Sequence, residues 1–433
     1  MENNKFQDII NRKMQNKTLN KDEIFFIISG YLKDTLTENL MISFLKSIAE
    51  KGMNNDEIYF LTKAMQELGE TLDLSELGTV ADKHSTGGVS DSTTLLIVPI
   101  VASLGVKILK MSGKSLGFTG GTADKILCFK GLKNNIEIEK AIEITKQTNG
   151  CFITQSNKIA PADKKIYELR DRIGLIENIP LIASSIISKK LASGSDIIIL
   201  DVKFGDGAFM KNKKDAEKLA NIMVDILKKE GKKTCAVLTS MQEPLGDFIG
   251  DELEILESIL ILKGLRKNNL LILSEFLSAL IVEKAKDIPF NQALLQVQKS
   301  IKSGKAFEKL KEIIKAQGGD LTLFDKDLKS FKSIVIKAKT DGFVKEIKTK
   351  KLGFLTRHHK EKYACFAGVE IKTRVGKKLR QSNKIIKLFF NIKDFKKLND
   401  KELTEIIKNY EKCFVISENN VKQKYKLIEK IIN

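Results

Sequence analysis

Through the first 69 residues, apolar positions recur at helical spacing. Phe6, Ile9, Ile10 and Met14 share one face, as do Ile24, Phe25, Ile28 and Leu32, then Leu40, Phe44, Leu45 and Ile48. Asn54 or Asn55 is placed to cap a further helix carrying Ile58, Leu61 and Met65. From Leu77 the texture changes. Short β-type runs near Thr79–Ala81, Val106–Met111, Cys151–Thr154, Ile197–Val202 and Thr234–Leu238 alternate with helical segments such as Ser92–Leu104, Ile136–Asn149 and Lys214–Glu230. Fully apolar strands alternating with helices predict a mostly parallel sheet covered on both faces. Ligands of such sheets bind outside the carboxyl ends of the strands.

One stretch interrupts the alternation. Pro161–Gly174 and Leu181–Ser193 predict two helices able to rejoin the N-terminal helical layer. After about residue 330, Ile334–Ala338, Gly342–Ile347 and Cys365–Ile371 predict short strands in a lysine-rich context. The expected fold class is α/β. A discontinuous helical domain (1–70 and 161–193) accompanies a large α/β domain with a mostly parallel sheet (71–160 and 194–330) and a small C-terminal α+β domain (331–433).

Composition narrows the function classes. No apolar run reaches the roughly 18 residues that span a bilayer, and the polar N-terminus lacks the core of a secretion signal. A cytoplasmic protein with no membrane partner is expected. Cys128, Cys151, Cys235, Cys365 and Cys413 are scattered and never form a CxxC pair, which argues against disulfides and zinc. The formal charge of +19 is carried mainly by lysines spread along the whole chain without an aromatic-interleaved basic motif. That pattern is a solvated surface rather than a nucleic-acid interface, though a positive field favours a phosphate-bearing substrate.

Three kinds of segment carry chemistry. Asp82-Lys83-His84-Ser85-Thr86-Gly87-Gly88-Val89-Ser90-Asp91 follows a strand and opens a helix. Glycines admit an anion to backbone amides, the helix N-terminus adds partial positive charge, and Lys83, Ser85 and Thr86 add donors. A second glycine- and hydroxyl-rich segment, Met111–Lys125, also follows a strand and could complete one anion pocket. Pro161 suits a helix start, and Ser185 and Lys189, four apart, share a helix face. Asp201–Met210 is a strand running into a glycine turn.

The segments KHSTGGV, SGKSLGFTGGTADK, APADKKIYELRD, IPLIASSIISKKLASG and DVKFGDGAF occur in this order. Together they resemble the thymidine and pyrimidine-nucleoside phosphorylases, from near the N-terminus to about residue 260. The resemblance implies a helical domain and a larger α/β domain around a cleft, in a homodimer. Inorganic phosphate would be the co-substrate of a pyrimidine nucleoside, with no cofactor required for the chemistry. It places phosphate against Lys83, Ser85, Thr94, Ser112 and Thr122. It places the pyrimidine against His84, Tyr167, Arg170, Ser185 and Lys189, with His84, Arg170 and Lys189 acting in catalysis. It also implies a monovalent cation, K+, near Ser90, Ser92, Leu245, Phe248 and Glu257.

The chain departs from the family pattern in places. Lys114 stands for the usual Arg, Phe118 for His, Ser90 for Gly and Leu127 for Glu. After Leu352-Gly353 a glycine-rich turn with arginine is expected, but Phe354-Leu355-Thr356-Arg357-His358-His359 follows. The rival readings are a phosphoribosyltransferase of the same superfamily and a non-catalytic nucleoside-binding descendant.

Overall fold

The structure is a computed structural model that describes residues 2–113, 120–420 and 426–433. Lys114 and Phe118 lie outside the described residues.

Four helices, α1 (Glu2–Met14), α2 (Lys21–Leu32), α3 (Glu38–Lys51) and α4 (Asn55–Glu67), open the chain. Asn20 and Asn54 each accept from the backbone N–H three residues on and donate their own backbone N–H to the glutamate side chain there, so α2 and α4 start at capping boxes. Their apolar faces form one core with Ala162, Ile166, Leu169 and Leu181. These four residues belong to α8 (Pro161–Arg172) and α9 (Ile179–Ala192), which return to the helical layer from the middle of the chain.

The central sheet contains β1 (Val80–Ser85), β2 (Lys107–Ser112), β3 (Gly150–Thr154), β4 (Ile197–Phe204) and β5 (Lys233–Ser240), in the order β5-β4-β1-β2-β3. All these pairs are parallel. Every residue of β4 is buried, as a strand covered on both faces requires. One face packs on α5 (Thr93–Ser103), with α11 (Asp251–Leu262), α12 (Asn269–Lys286), α13 (Phe290–Lys302) and α14 (Lys305–Ala316) behind it. The other packs on α9 and α10 (Lys213–Lys229), and the β2–β3 end on α7 (Ile138–Thr148). Short α6 (Thr122–Ile126) follows the second glycine-rich segment. Because β1 has β4 on one side and β2 on the other, the chain order reverses around it, and the crevice falls at its carboxyl end.

The C-terminal unit has a four-stranded sheet, β6-β9-β11-β7, and a three-stranded sheet, β10-β8-β12. The strands are β6 (Phe248–Ile249), β7 (Phe331–Lys337), β8 (Gly342–Ile347), β9 (Phe366–Ile371), β10 (Lys378–Leu379), β11 (Lys384–Asn391) and β12 (Phe414–Ser417). Helices α15 (Thr349–Lys362), α16 (Ile392–Phe395) and α17 (Asp400–Glu411) complete it. Where a glycine-rich turn was expected after Gly353, α15 runs on through His359.

One expectation needs correction. The chain from 331 to 433 does not form a closed unit. Its last strand, β13 (Ile428–Ile432), leaves it and pairs antiparallel with β5 at the edge of the central sheet. The physical reason is edge protection: β5 would otherwise present an unpaired ladder. Ile432 buries there, and Lys213 and Glu429 close the outer side at 2.7 Å.

Candidate active site

At the carboxyl end of β1 the backbone turns sharply. Gly87 has φ +90°, in the region that favours glycine. The loop lies directly on Lys203 of β4: a Cβ at Gly88 would meet Lys203 Cδ at 3.0 Å and Met241 Cε at 2.6 Å. Beneath it the charges interlock. Lys83 Nζ donates to Thr93 Oγ1 at 2.7 Å and pairs with Asp201 at 3.1 Å. Lys203 Nζ lies 3.0 Å from Asp201 and 3.7 Å from Asp91. Asp91 accepts from the hydroxyls of Ser85 and Thr93, each at 2.6 Å. Burial opposes ionisation of Asp91, but Lys203, Lys83 and the two hydroxyls overcome it and hold the carboxyl well below the usual range.

A second cluster lies beside the first. Lys190 of α9 donates to Asp82 Oδ2 at 2.6 Å, and Lys110 of β2 lies 3.4 Å from Asp82 Oδ1. All three are buried. Burial pushes the Lys110 ammonium down to about 7; Asp82 works against that, while Lys190 and Lys83 add to it. Taken together, Lys83, Lys110, Lys190 and Lys203 face Asp82, Asp91 and Asp201. When Lys110 is protonated, these residues carry one positive charge in excess. A buried unpaired charge is costly, so the arrangement favours an anion. Ser112 Oγ, at the carboxyl end of β2, is buried with no hydrogen-bond partner among the described residues.

His84 follows Lys83 near the carboxyl end of β1. Burial, with Lys190, Lys110, Lys189 and Lys83 around it, holds its pKa well below the ordinary value. The imidazole is therefore neutral near pH 7 and offers one N–H and one lone pair. Across from it, Lys189 and Ser185 meet on one face of α9, as their spacing indicated, with Nζ 2.8 Å from Ser185 Oγ. Lys189 also pairs with Asp163 of α8 at 2.5 Å. Pro161 stands at the start of α8, where its missing N–H is harmless. The ring of Tyr167 lies 5.9 Å from Lys189 Nζ and 5.8 Å from the guanidinium of Arg170.

Not every expected residue sits as the sequence suggested. Arg170 is almost fully buried, and its Nε and both terminal nitrogens donate to the carbonyls of Leu175, Ile176 and Leu181, each at 3.0 Å. Only two of its five N–H groups remain for a ligand. Its observed work is to brace the connection between α8 and α9, a task no local pattern announced. Thr94 is buried in the first turn of α5, and it is Thr93 that meets Lys83. Thr122 opens α6. Lys190, Lys203, Asp82, Asp91 and Asp201 were not singled out as site residues. Lys203 did carry a signal, since a lysine inside an otherwise apolar strand must find a partner.

Of the residues expected to ligate a monovalent cation, Ser90, Ser92, Phe248 and Glu257 have oxygens already engaged. Ser90 Oγ donates to the Phe248 carbonyl at 2.5 Å, and the Ser90 carbonyl accepts from Gly246 N–H at 3.2 Å. Ser92 Oγ donates to Glu254 at 2.7 Å and lies 3.4 Å from the Lys125 ammonium. Glu257 accepts from the Asp247 N–H and Asn268 Nδ2, both at 2.7 Å, on one oxygen and from the Phe248 N–H on the other. The oxygens of Ser90, Ser92, Phe248 and Glu257 thus face hydrogens, and an ammonium stands beside Ser92, an arrangement that does not fit a cation.

Comparison with known proteins places this architecture. Residues 7–69 match the family model described as "Glycosyl transferase family, helical bundle domain", and residues 77–307 match "Glycosyl transferase family, a/b domain". The chain belongs to this glycosyl transferase family. The anthranilate phosphoribosyltransferase (TrpD) of Thermus thermophilus shares the fold, with a TM-score of 0.60 at 15% identity over 72% of this chain and 99% of that one. Sequence relatives are nearer. The pyrimidine-nucleoside phosphorylase of Geobacillus stearothermophilus is 40% identical over 89% of this chain and 92% of its own. That of Staphylococcus aureus (strain USA300) is 38% identical over 98% and 99%. Within the larger family, the chain is a member of the pyrimidine-nucleoside phosphorylases.

Proposed function

We propose that this chain catalyses the reversible phosphorolysis of a pyrimidine nucleoside, giving free base and pentose 1-phosphate. The observation that carries the reading is the contact between α9 and β1. Lys190 of α9 donates to Asp82 of β1 at 2.6 Å, and its neighbour Lys189 lies 2.8 Å from Ser185 Oγ, so the anion-seeking edge of the sheet and the polar face of α9 converge on one place.

In this reading phosphate takes the excess positive charge, with donors from Lys83, Ser112 and Thr122, and from Ser85 once its hydroxyl turns from Asp91 to the phosphate. A phosphate oxygen attacks C1′ of the sugar as the glycosidic bond breaks, and the bonding electrons leave with the base. Lys189 and Ser185 stabilise the charge developing on the base, joined by the two spare N–H groups of Arg170. Neutral His84 donates a hydrogen bond to a base carbonyl rather than acting as a cationic acid. No covalent enzyme intermediate is needed; the protein orients two reactants and excludes water. The role suits intracellular nucleoside salvage. Among the described residues no helix is long and apolar enough to cross a membrane.

The test is an assay of thymidine, deoxyuridine, uridine and cytidine, each with and without phosphate. Release of uracil or thymine only when phosphate is present supports the reading. No release from any of the four would overturn it.

A further inference from the structure

We propose that the Ser90 hydroxyl does the bridging work of a monovalent cation, so that this chain needs no such ion to hold its first anion-binding loop against the Leu245–Phe248 turn. The misfit of the donor set is the starting point. Three direct hydrogen bonds join the two segments. Leu245 N–H donates to the Val89 carbonyl and Gly246 N–H to the Ser90 carbonyl, both at 3.2 Å, and Ser90 Oγ donates to the Phe248 carbonyl. The third exists only because residue 90 has a side chain.

The backbone makes that side chain conspicuous. Ser90 has φ +60°, a conformation that glycine adopts freely and other residues adopt under strain. A residue with a Cβ is held there by what its hydroxyl does. The hydroxyl also occupies the space in question. A Cβ placed on Gly246 would lie 2.6 Å from Ser90 Oγ and 2.4 Å from Glu257 Oε2, so hydroxyl and carboxylate crowd around the same glycine. The turn is anchored independently of any ion. Arg374 donates to the carbonyls of Pro244 and Gly246 and pairs with Asp247, while Arg266 pairs with Asp247 from the other side. Ser90 therefore ties the loop to a fixed post. Asp91, which orients the Ser85 hydroxyl, is the next residue along, so the tie sets the position of the anion-binding groups.

The test reads thermal stability and does not depend on the catalytic reading. The parent protein and Ser90→Gly are melted in potassium chloride and in tetramethylammonium chloride at equal ionic strength, about 100 mM. The parent melts at the same temperature in both salts, within about 1 °C. Ser90→Gly, relieved of backbone strain but deprived of its bridge, melts lower than the parent in tetramethylammonium and recovers by about 2 °C or more in potassium. A saturable potassium-dependent rise in the melting temperature of the parent would overturn the proposal. So would a Ser90→Gly variant that ignores potassium, because the hydroxyl would then not be standing in for an ion.

Discussion

Replacing Lys189 with alanine separates what this residue does for the fold from what it does for the reaction. Its ammonium pairs with Asp163, a carboxylate with 4% of its side-chain surface exposed, while Lys189 itself is 22% exposed. Removing one partner of a fully buried pair costs about 3–5 kcal/mol. The partial exposure of Lys189 lets water reach Asp163 in the variant, so about 1–3 kcal/mol is expected here. In the reaction, losing one preorganised donor to a developing negative charge costs about 3–4 kcal/mol, or a 10²–10³-fold fall in turnover. The two effects are distinguished by adding Asp163→Asn, which removes the orphaned charge. The double variant should regain most of the lost stability in urea denaturation but none of the lost turnover in a base-release assay. Turnover of Lys189→Ala within about threefold of the parent would refute the argument. Recovery of activity in the double variant would assign Lys189 a purely structural role.

Further predictions follow from the buried charges. Lys203→Met removes the ammonium beneath the glycine loop and frees Asp91 to reorient, so KM for phosphate should rise about tenfold, equivalent to ~1.4 kcal/mol, with KM for the nucleoside little changed. The Lys110 ammonium titrates near 7 in the folded chain and near its ordinary, higher value when unfolded. Between these values the unfolded state binds more protons, so stability rises with pH above about 7, by at most ~1.4 kcal/mol per unit. Urea midpoints from pH 7 to 9 should climb in the phosphate-free parent and climb less in Lys110→Met. Deleting residues 428–433 removes β13 with its buried Ile432 and leaves the edge of β5 unpaired, which should cost about 2–4 kcal/mol in the same denaturation assay.

Much of this was legible in the chain. The glycine loops after strands, the apolar runs of β1 to β5 and the cap at Asn54 are local signals, and local physics reads them. The Ser185–Lys189 pair was equally accessible, because four residues is one helical turn. What escaped depends on distance along the chain. Lys190 and Asp82 are 108 residues apart, and Ser90 and Phe248 are 158 apart; nothing near either residue names its partner. Arg170 was only half legible for a related reason. An arginine in a motif suggests a ligand, but its donors are mostly taken by carbonyls of its own chain, whose positions only the folded α8–α9 connection fixes. β13 escaped because a short strand of three isoleucines, Glu429 and Lys430 does not say which sheet edge it will cover.

The central claim is that phosphate and nucleoside meet where β1 and α9 converge. The most direct measurement follows phosphorus by 31P NMR while the protein acts on uridine or thymidine in phosphate buffer. The account predicts that the inorganic phosphate signal gives way to a pentose 1-phosphate signal in step with free base. Base released without a new phosphate ester, or a phosphate signal that never changes, would contradict it.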